Sequence, residues 1–340
     1  MRLSSLLGAC ALVALGATAA QAGPTLDAVK QKGFVQCGTN VSGLPGFASV
    51  NNENQWSGLD IDLCKAVAVA LFNDPNAVKY TPLNAKERFT ALQSGQIDIL
   101  SRNTTNTLSR DTALGLDFPV INYYDGQGFM AKKALGVQSA LELDGASVCV
   151  QAGTTTELNL ADFFRANNMN YQGVVFENND EVLAAYDSGR CDVLTTDASG
   201  LYSTRTKLQN PDDHMVLPEI ISKEPLGPAV RHGDNEWADI VRWSFYAMVQ
   251  AEEFGITSEN VEQIAEETQN PDIQRFLGKL DELGAGVGLP NDFAVQIVKQ
   301  IGNYGESFER NVGMGSTLKI ERGLNALWTD GGLQYAMPFR

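Results

Sequence analysis

A fourteen-residue pattern occurs twice in this chain. Glu87-Arg88-Phe89-Thr90-Ala91-Leu92-Gln93-Ser94-Gly95-Gln96-Ile97-Asp98-Ile99-Leu100 returns roughly ninety residues later as Glu181-Val182-Leu183-Ala184-Ala185-Tyr186-Asp187-Ser188-Gly189-Arg190-Cys191-Asp192-Val193-Leu194, with six positions identical. Each copy reads as a helix closed by glycine just past its C-terminus, a tight turn, and a buried strand of β-prone residues. Any two α/β units share some of this grammar, but the identities favour one αβ unit used in two equivalent lobes. In open α/β sheets ligands bind beyond the carboxyl ends of the strands. That places a cleft at Ser101 to Thr105 and Thr195 to Asp197.

The surrounding pattern agrees. Gly33 to Cys37 is short and β-prone, and the polar, Gly- and Asn-rich Gly38 to Gly58 reads as a long loop. Leu59, Leu63, Val67 and Leu71 form an apolar helical stripe, with Ser57 as the expected N-cap and Asp60 and Asp62 facing the positive end of the helix. Gly126 to Ala131 and Ser222 to Gly233 are the expected crossovers, and Trp237, Ile240, Val241, Phe245 and Met248 continue as a core-facing helix over Asn235 to Ala251. The expected fold is therefore α/β with two lobes, each a mixed sheet flanked by helices. Residues 23–130 and 234–340 make a discontinuous first lobe with a C-terminal helical extension, 131–225 the second lobe, and 226–233 the return crossover.

Residues 1–22 read as an export signal: Arg2, an uncharged run from Leu3 to Ala20, and the small residues of Ala20-Gln21-Ala22, which predict a mature start at Gly23. Leu7-Gly8-Ala9-Cys10 loosely resembles a lipoprotein cleavage site, but cutting there leaves too short an apolar core. No later run approaches the roughly 18 to 20 apolar residues that span a bilayer, so no direct membrane insertion is expected. The formal charge of −16, or −17 without Arg2, disfavours nucleic acid and anionic lipid surfaces as partners. Cys37, Cys64, Cys149 and Cys191 remain after processing, an even number in an oxidising compartment. Connectivity cannot be read from sequence alone; the pairing expected is Cys37 with Cys64 and Cys149 with Cys191, and four buried free thiols are the alternative.

His214 and His232 lie in turn-rich stretches without metal-ligand spacing, so neither a metal nor a cofactor is expected. Gly126-Gln127-Gly128-Phe129-Met130-Ala131 fits a dinucleotide fingerprint only nominally, with no helix-opening context. What stands out is a polar strip after the first repeat strand, Ser101-Arg102-Asn103-Thr104-Thr105-Asn106-Thr107-Leu108-Ser109-Arg110. The planar fork of Arg110 suits a carboxylate, with hydroxyl and N–H groups for its other lone pairs. The second copy places Asp197 in register with Asn103. A zwitterion fits between them, carboxylate to Arg110 and ammonium to Asp197. The plainer alternatives are a surface pair of Arg110 with Asp111 and helix capping by Asp197.

At Gly58-Leu59-Asp60-Ile61-Asp62-Leu63-Cys64-Lys65-Ala66-Val67-Ala68-Val69-Ala70-Leu71 the chain resembles the signature of family 3 extracellular solute-binding proteins, the polar amino-acid group. The likeness extends through Ser101 to Arg110, Gly153-Thr154-Thr155 and Asp192 to Asp197, and within the family is greatest to the branch that binds L-amino acids generally. The resemblance implies a type II periplasmic-binding-protein fold and a monomer that takes free L-amino acids to an inner-membrane ABC permease. It also implies that Arg110 binds the α-carboxylate with Asn103, Thr105 and Thr155 as further donors, and that Asp197 receives the ammonium. Where many relatives hold a cationic side chain with an acidic residue and an aromatic, this chain has Asn40 and Gly43. A roomier pocket with Asn40, Phe47 and Tyr124 nearby fits broad specificity, acidic and amide ligands included. The rivals are a cyclohexadienyl dehydratase-like enzyme on the same fold and a ligand-binding partner of a membrane receptor; the strip offers no additional acid/base pair for the elimination.

Overall fold

The computed structural model describes residues 23–41 and 43–340; the export signal expected over residues 1–22, with Arg2 and Cys10, lies outside them. Both copies of the repeated unit form the same structure. Helix Glu87–Gln93 and helix Asn179–Asp187 each run out at a serine and then a left-handed glycine, Gly95 at φ 78° and Gly189 at φ 79°. A side chain would be strained in that conformation. The shared aspartates explain the strand that follows: Asp98 exchanges two bonds with the backbone of Gln36, at 2.7 and 2.8 Å, and Asp192 exchanges two with that of Ser147, at 2.8 and 3.0 Å. Each thus pins its strand to its neighbour in the sheet.

Two sheets result. The first has Val35–Asn40 between Val78–Leu83 and Ile99–Leu100, all parallel. The second has five strands: Gln172–Phe176, Ser147–Gln151 and Val193–Asp197 in parallel, then Gln127–Lys132 and His214–Val216 antiparallel. Each sheet is tied to a neighbouring segment by one disulfide: Cys37 bonds Cys64 in the helix beside the first sheet, and Cys149 bonds Cys191 in the turn that leads into the central strand of the second.

The crossing between lobes differs from the expected one. Tyr123–Asp125 pairs antiparallel with Glu224–Leu226 in a two-stranded ribbon that both passages share. Gly126 to Ala131 was expected as a crossover, but Gln127–Lys132 lies wholly within the second sheet, because its β-prone residues pair on both edges. On the return, Val230–Arg231 already pairs with Leu116–Asp117, and Ala229 bridges Leu100, so residues expected to be linker belong beside the first sheet.

Helix Leu59–Phe72 is buried along nearly its whole length, with the sheet on one side and the C-terminal helices Asn235–Glu253, Phe293–Ile301 and Tyr304–Asn311 on the other. Its N-cap is Gly58 at φ 133°, where an added Cβ would lie 2.1 Å from the Phe47 carbonyl oxygen. Ser57, the expected cap, is instead in a short strand with Trp56. Asp62 does more than face the helix end: it accepts bonds from Ser307, Arg310 and Asn311 at 2.6, 2.7 and 2.6 Å and so ties the C-terminal extension to the first lobe. Trp237 is fully buried and donates its indole N–H to the Asp98 carbonyl. His214, expected in a loop, starts a strand and is buried, with the Tyr186 hydroxyl 2.7 Å from its Nδ1.

Among the described residues no helix is long and apolar enough to cross a membrane, and no group of His, Cys, Asp and Glu is arranged to hold a metal ion.

Candidate functional site

The strip after the first repeat strand and the exit of the second face each other across the lobes. Asp60, at the start of the long buried helix, fixes the strip: its carboxylate accepts the Asn103 N–H at 2.8 Å and the Asn122 amide at 3.2 Å, and its carbonyl accepts the Ser101 hydroxyl at 3.0 Å. This holds Asn103 at a left-handed φ of 32°, a conformation asparagine tolerates better than most residues. Thr107 caps the short helix Leu108–Thr112 that presents Arg110. The Arg110 guanidinium is buried, donates to the Thr105 carbonyl at 2.8 Å and lies 5.0 Å over the Phe89 ring. It does not pair with Asp111, which faces His232 instead.

From the second lobe, helix Thr155–Ala166 begins at the cleft with Thr154 as its cap, so the positive end of that helix faces Arg110 across a groove lined by Phe89, Arg110, Thr154 and Thr155. Asp197 ends strand Val193–Asp197 and is buried, with no side-chain capping bond to the helix that follows. Burial first, then the nearby carboxyls of Asp125 and Glu224, push its carboxyl well above the ordinary 3.8, against the pull of Arg88 and Arg110. Asp125 rises to about 6, chiefly through burial, while bonds from Ser199 and Gly126 oppose the rise. Asp197 shares with Asn40, Arg88, Arg102, Asn103 and Thr155 a narrow cavity of about 40 Å3.

The structure therefore brings together Arg110, Asp197, Asn103, Thr105, Thr155 and Asn40. Two residues expected in the pocket stand elsewhere. Phe47 is 1% exposed and packs edge-on against Tyr123 at 5.2 Å in the first lobe's core, because the loop carrying it is drawn under the buried helix. Tyr124 lies in the crossover ribbon with its backbone bonded to both ends of the Asn325 amide and does not line the cavity around Asp197.

Sequence reasoning also missed residues. Glu224, 1% exposed, accepts four bonds from both lobes: Thr105 and Thr155 hydroxyls at 2.7 and 2.9 Å on one oxygen, Asn159 and Ser222 at 2.7 Å each on the other. Since both threonine hydroxyls donate to Glu224, what they leave for a ligand is lone pairs, and the donors for an anion are Arg110 and backbone N–H groups. Arg88 is fully buried in the cleft wall. It had a signal, being a charged residue where the other repeat copy has the buried Val182. The lobes touch elsewhere through Lys86 and Glu177 at 2.6 Å and through Lys207 to the Gly43 carbonyl at 2.8 Å.

Two α/β lobes joined by a two-stranded ribbon, with cation and carboxylate facing across the cleft, define a type II periplasmic binding protein. The chain belongs to the bacterial extracellular solute-binding proteins, family 3, whose model matches residues 35–260. It is 64% identical to the general L-amino acid-binding periplasmic protein AapJ of Rhizobium johnstonii, over 99% of this chain and 98% of that one. Identity is 57% to the glutamate/glutamine/aspartate/asparagine-binding protein BztA of Rhodobacter capsulatus, over the whole of both chains. The structure of an ABC transporter periplasmic binding protein from Brucella ovis with glutathione bound superposes with a TM-score of 0.91 at 62% identity, covering 93% of this chain and 99% of that one.

Proposed function

We propose that this protein is the periplasmic substrate-binding component of an ABC importer for L-amino acids, of broad specificity that includes polar, acidic and amide side chains. The observation that carries the reading is the opposition of a buried Arg110 and a buried Asp197 across the interlobe cleft, neither in a salt bridge among the described residues. In the bound state Arg110 and the first N–H groups of helix Thr155–Ala166 take the α-carboxylate, Asp197 takes the ammonium, and Asn103, Thr105, Thr155 and Asn40 complete the wall. Buried unpaired charges are costly, so lobe closure is favourable when a zwitterion supplies the missing partners. The shared ribbon, with Glu224 bonded to both lobes, is the hinge, and closure is rigid-body motion about it. The protein is exported with cleavage before Gly23, acts as a monomer, hands its ligand to an inner-membrane permease and catalyses no reaction.

The test is a ligand screen on protein stripped by unfolding and refolding, recording the melting temperature with the twenty L-amino acids, their D-forms, several sugars and glutathione, the compound held by the Brucella ovis relative. Binding must raise it. Shifts with many L-forms support the reading; none with any amino acid sinks it, and turnover of arogenate or prephenate would move the assignment to the dehydratase alternative.

A further inference from the structure

Residues 261–340 lie beyond the stretch matched by the family model, yet their side chains grip the hinge. Gln334 Nε2 donates to the Ile121 carbonyl at 3.3 Å and the Tyr304 hydroxyl to the Asn122 carbonyl at 2.9 Å. The Asn325 amide accepts the Tyr124 N–H at 2.7 Å and donates to the Tyr124 carbonyl at 3.0 Å. Tyr304, Asn325 and Gln334 are all buried. Pro225, opposite Tyr124 in the ribbon, has no N–H, and its carbonyl accepts from Asn106. The Tyr124 backbone groups therefore take their partner at the open edge of the ribbon, where the Asn325 amide serves as a third strand would.

The grip is braced from outside and reaches the site within. The Arg322 guanidinium donates to the Asn325 carbonyl at 3.1 and 3.0 Å, pairs with Glu252 at 3.0 Å and lies over the Tyr304 and Phe308 rings. Phe308 in turn stacks on Tyr123 at 6.1 Å. On the inner side the Asn122 amide donates to Asp60, whose carboxylate also holds the Asn103 N–H in the cleft wall. Among the described residues these bonds from the extension stop at Tyr124. Two residues on, Gly126 runs so close to the return passage that an added Cβ would lie 2.7 Å from the Ser222 carbonyl oxygen.

We propose that Tyr304 and Asn325 are positioning residues for the hinge. They fasten Ile121 to Tyr124 to the first lobe, so that closure pivots at Asp125–Gly126 and Ser222–Glu224 instead of bending through the whole ribbon, and the affinity for ligand depends on bonds made outside the cleft. The proposal rests on the reading of the ribbon as the hinge of an amino-acid-binding protein. Only the closed form binds tightly, so loosening the grip spreads the free protein over more open arrangements and speeds ligand release.

The test compares Tyr304→Phe, which loses one hydroxyl and keeps the ring, and Asn325→Ala with wild type, as full-length mature protein stripped of ligand. Arg275→Ala is the control, a residue of the same extension whose ion pairs with Asp272 and Asp281 do not touch the ribbon. Isothermal titration and stopped-flow kinetics use the tightest amino acid from the screen, and hydrogen exchange follows the peptide spanning residues 121–126 in the ligand-free state. Loss of one or two buried bonds predicts a Kd raised about threefold in Tyr304→Phe and about tenfold in Asn325→Ala, carried by faster dissociation. Exchange in the hinge peptide should quicken by at least a similar factor, and Arg275→Ala should match wild type in all three. The proposal is overturned if Tyr304→Phe keeps wild-type affinity and hinge exchange, a result that stands even where Asn325→Ala does not fold, or if Arg275→Ala loses as much affinity as the hinge variants. In either case wild type still binds and the proposed function is untouched; failure of wild type to bind any amino acid would remove that function and this proposal together.

Discussion

Arg110→Ala removes one end of the clamp while disturbing little of the fold. Among the described residues the side chain makes one hydrogen bond, to the Thr105 carbonyl at 2.8 Å, and no ion pair. Losing a donor to a buried carbonyl costs about 1–3 kcal/mol, and removal of an unpaired buried cation offsets part of it, so the ligand-free melting temperature should move by no more than about 4 °C. Binding loses far more. Two charge-assisted bonds from a planar fork to a carboxylate, at about 1.5–3 kcal/mol each, correspond to roughly a hundredfold to ten-thousandfold rise in Kd. Arg110→Lys, which keeps the charge and loses the fork, should fall between. Isothermal titration with the tightest amino acid from the screen, paired with melting curves of the ligand-free proteins, reads both quantities. The reasoning is refuted by an alanine variant that keeps its affinity within about threefold while its ligand-free melting temperature falls by more than about 10 °C, the signature of a structural arginine.

Asp197 holds a proton above the ordinary carboxyl range through burial first; a ligand ammonium favours the ionised form, so binding should release a proton and strengthen as pH rises through the raised value. Titrations at about pH 5 in buffers of different ionisation enthalpy read that release, and Asp197→Asn should bind weakly and release none; pH-independent affinity would exclude the role. Glu224→Ala leaves four donors from both lobes without their acceptor, so stability should drop by about 1–3 kcal/mol for each donor left buried and unpaired and Kd should rise about tenfold or more, since the closed form is the binding form; unchanged affinity would confine Glu224 to local packing. The Cys37–Cys64 bond closes a separation of 27 residues, which chain entropy rates at about 3.5 kcal/mol; Cys37→Ala with Cys64→Ala should lower the denaturation midpoint accordingly with little change in ligand affinity at low temperature.

The repeated unit was legible because its signals are local: helix stripe, glycine past the end, aspartate before a β-prone pair. Both turn glycines are left-handed and both aspartates pin a neighbouring strand, so equal sequence became equal structure. The strip from Ser101 to Arg110 and its counterpart at Asp197 followed from that equivalence, since strand ends mark the cleft. Gly126 to Ala131 reads as a crossover because a glycine-rich β-prone run looks alike as linker and as strand; only its two partners in the sheet separate the cases.

The sequence by itself determined the two-lobed α/β plan, the cysteines available for pairing and the residues at the two strand exits, all properties of neighbours along the chain. Tertiary structure decided the rest. Phe47 sits in the core because Tyr123, distant in sequence, packs on it. Glu224 joins the lobes because Thr105 and Thr155, 119 and 69 residues away, meet at its carboxylate. Arg88 faces a cavity because the second lobe closes over a helix face that in the other copy is merely apolar. Such contacts depend on how two lobes fold back on one hinge, and no local periodicity encodes that distance.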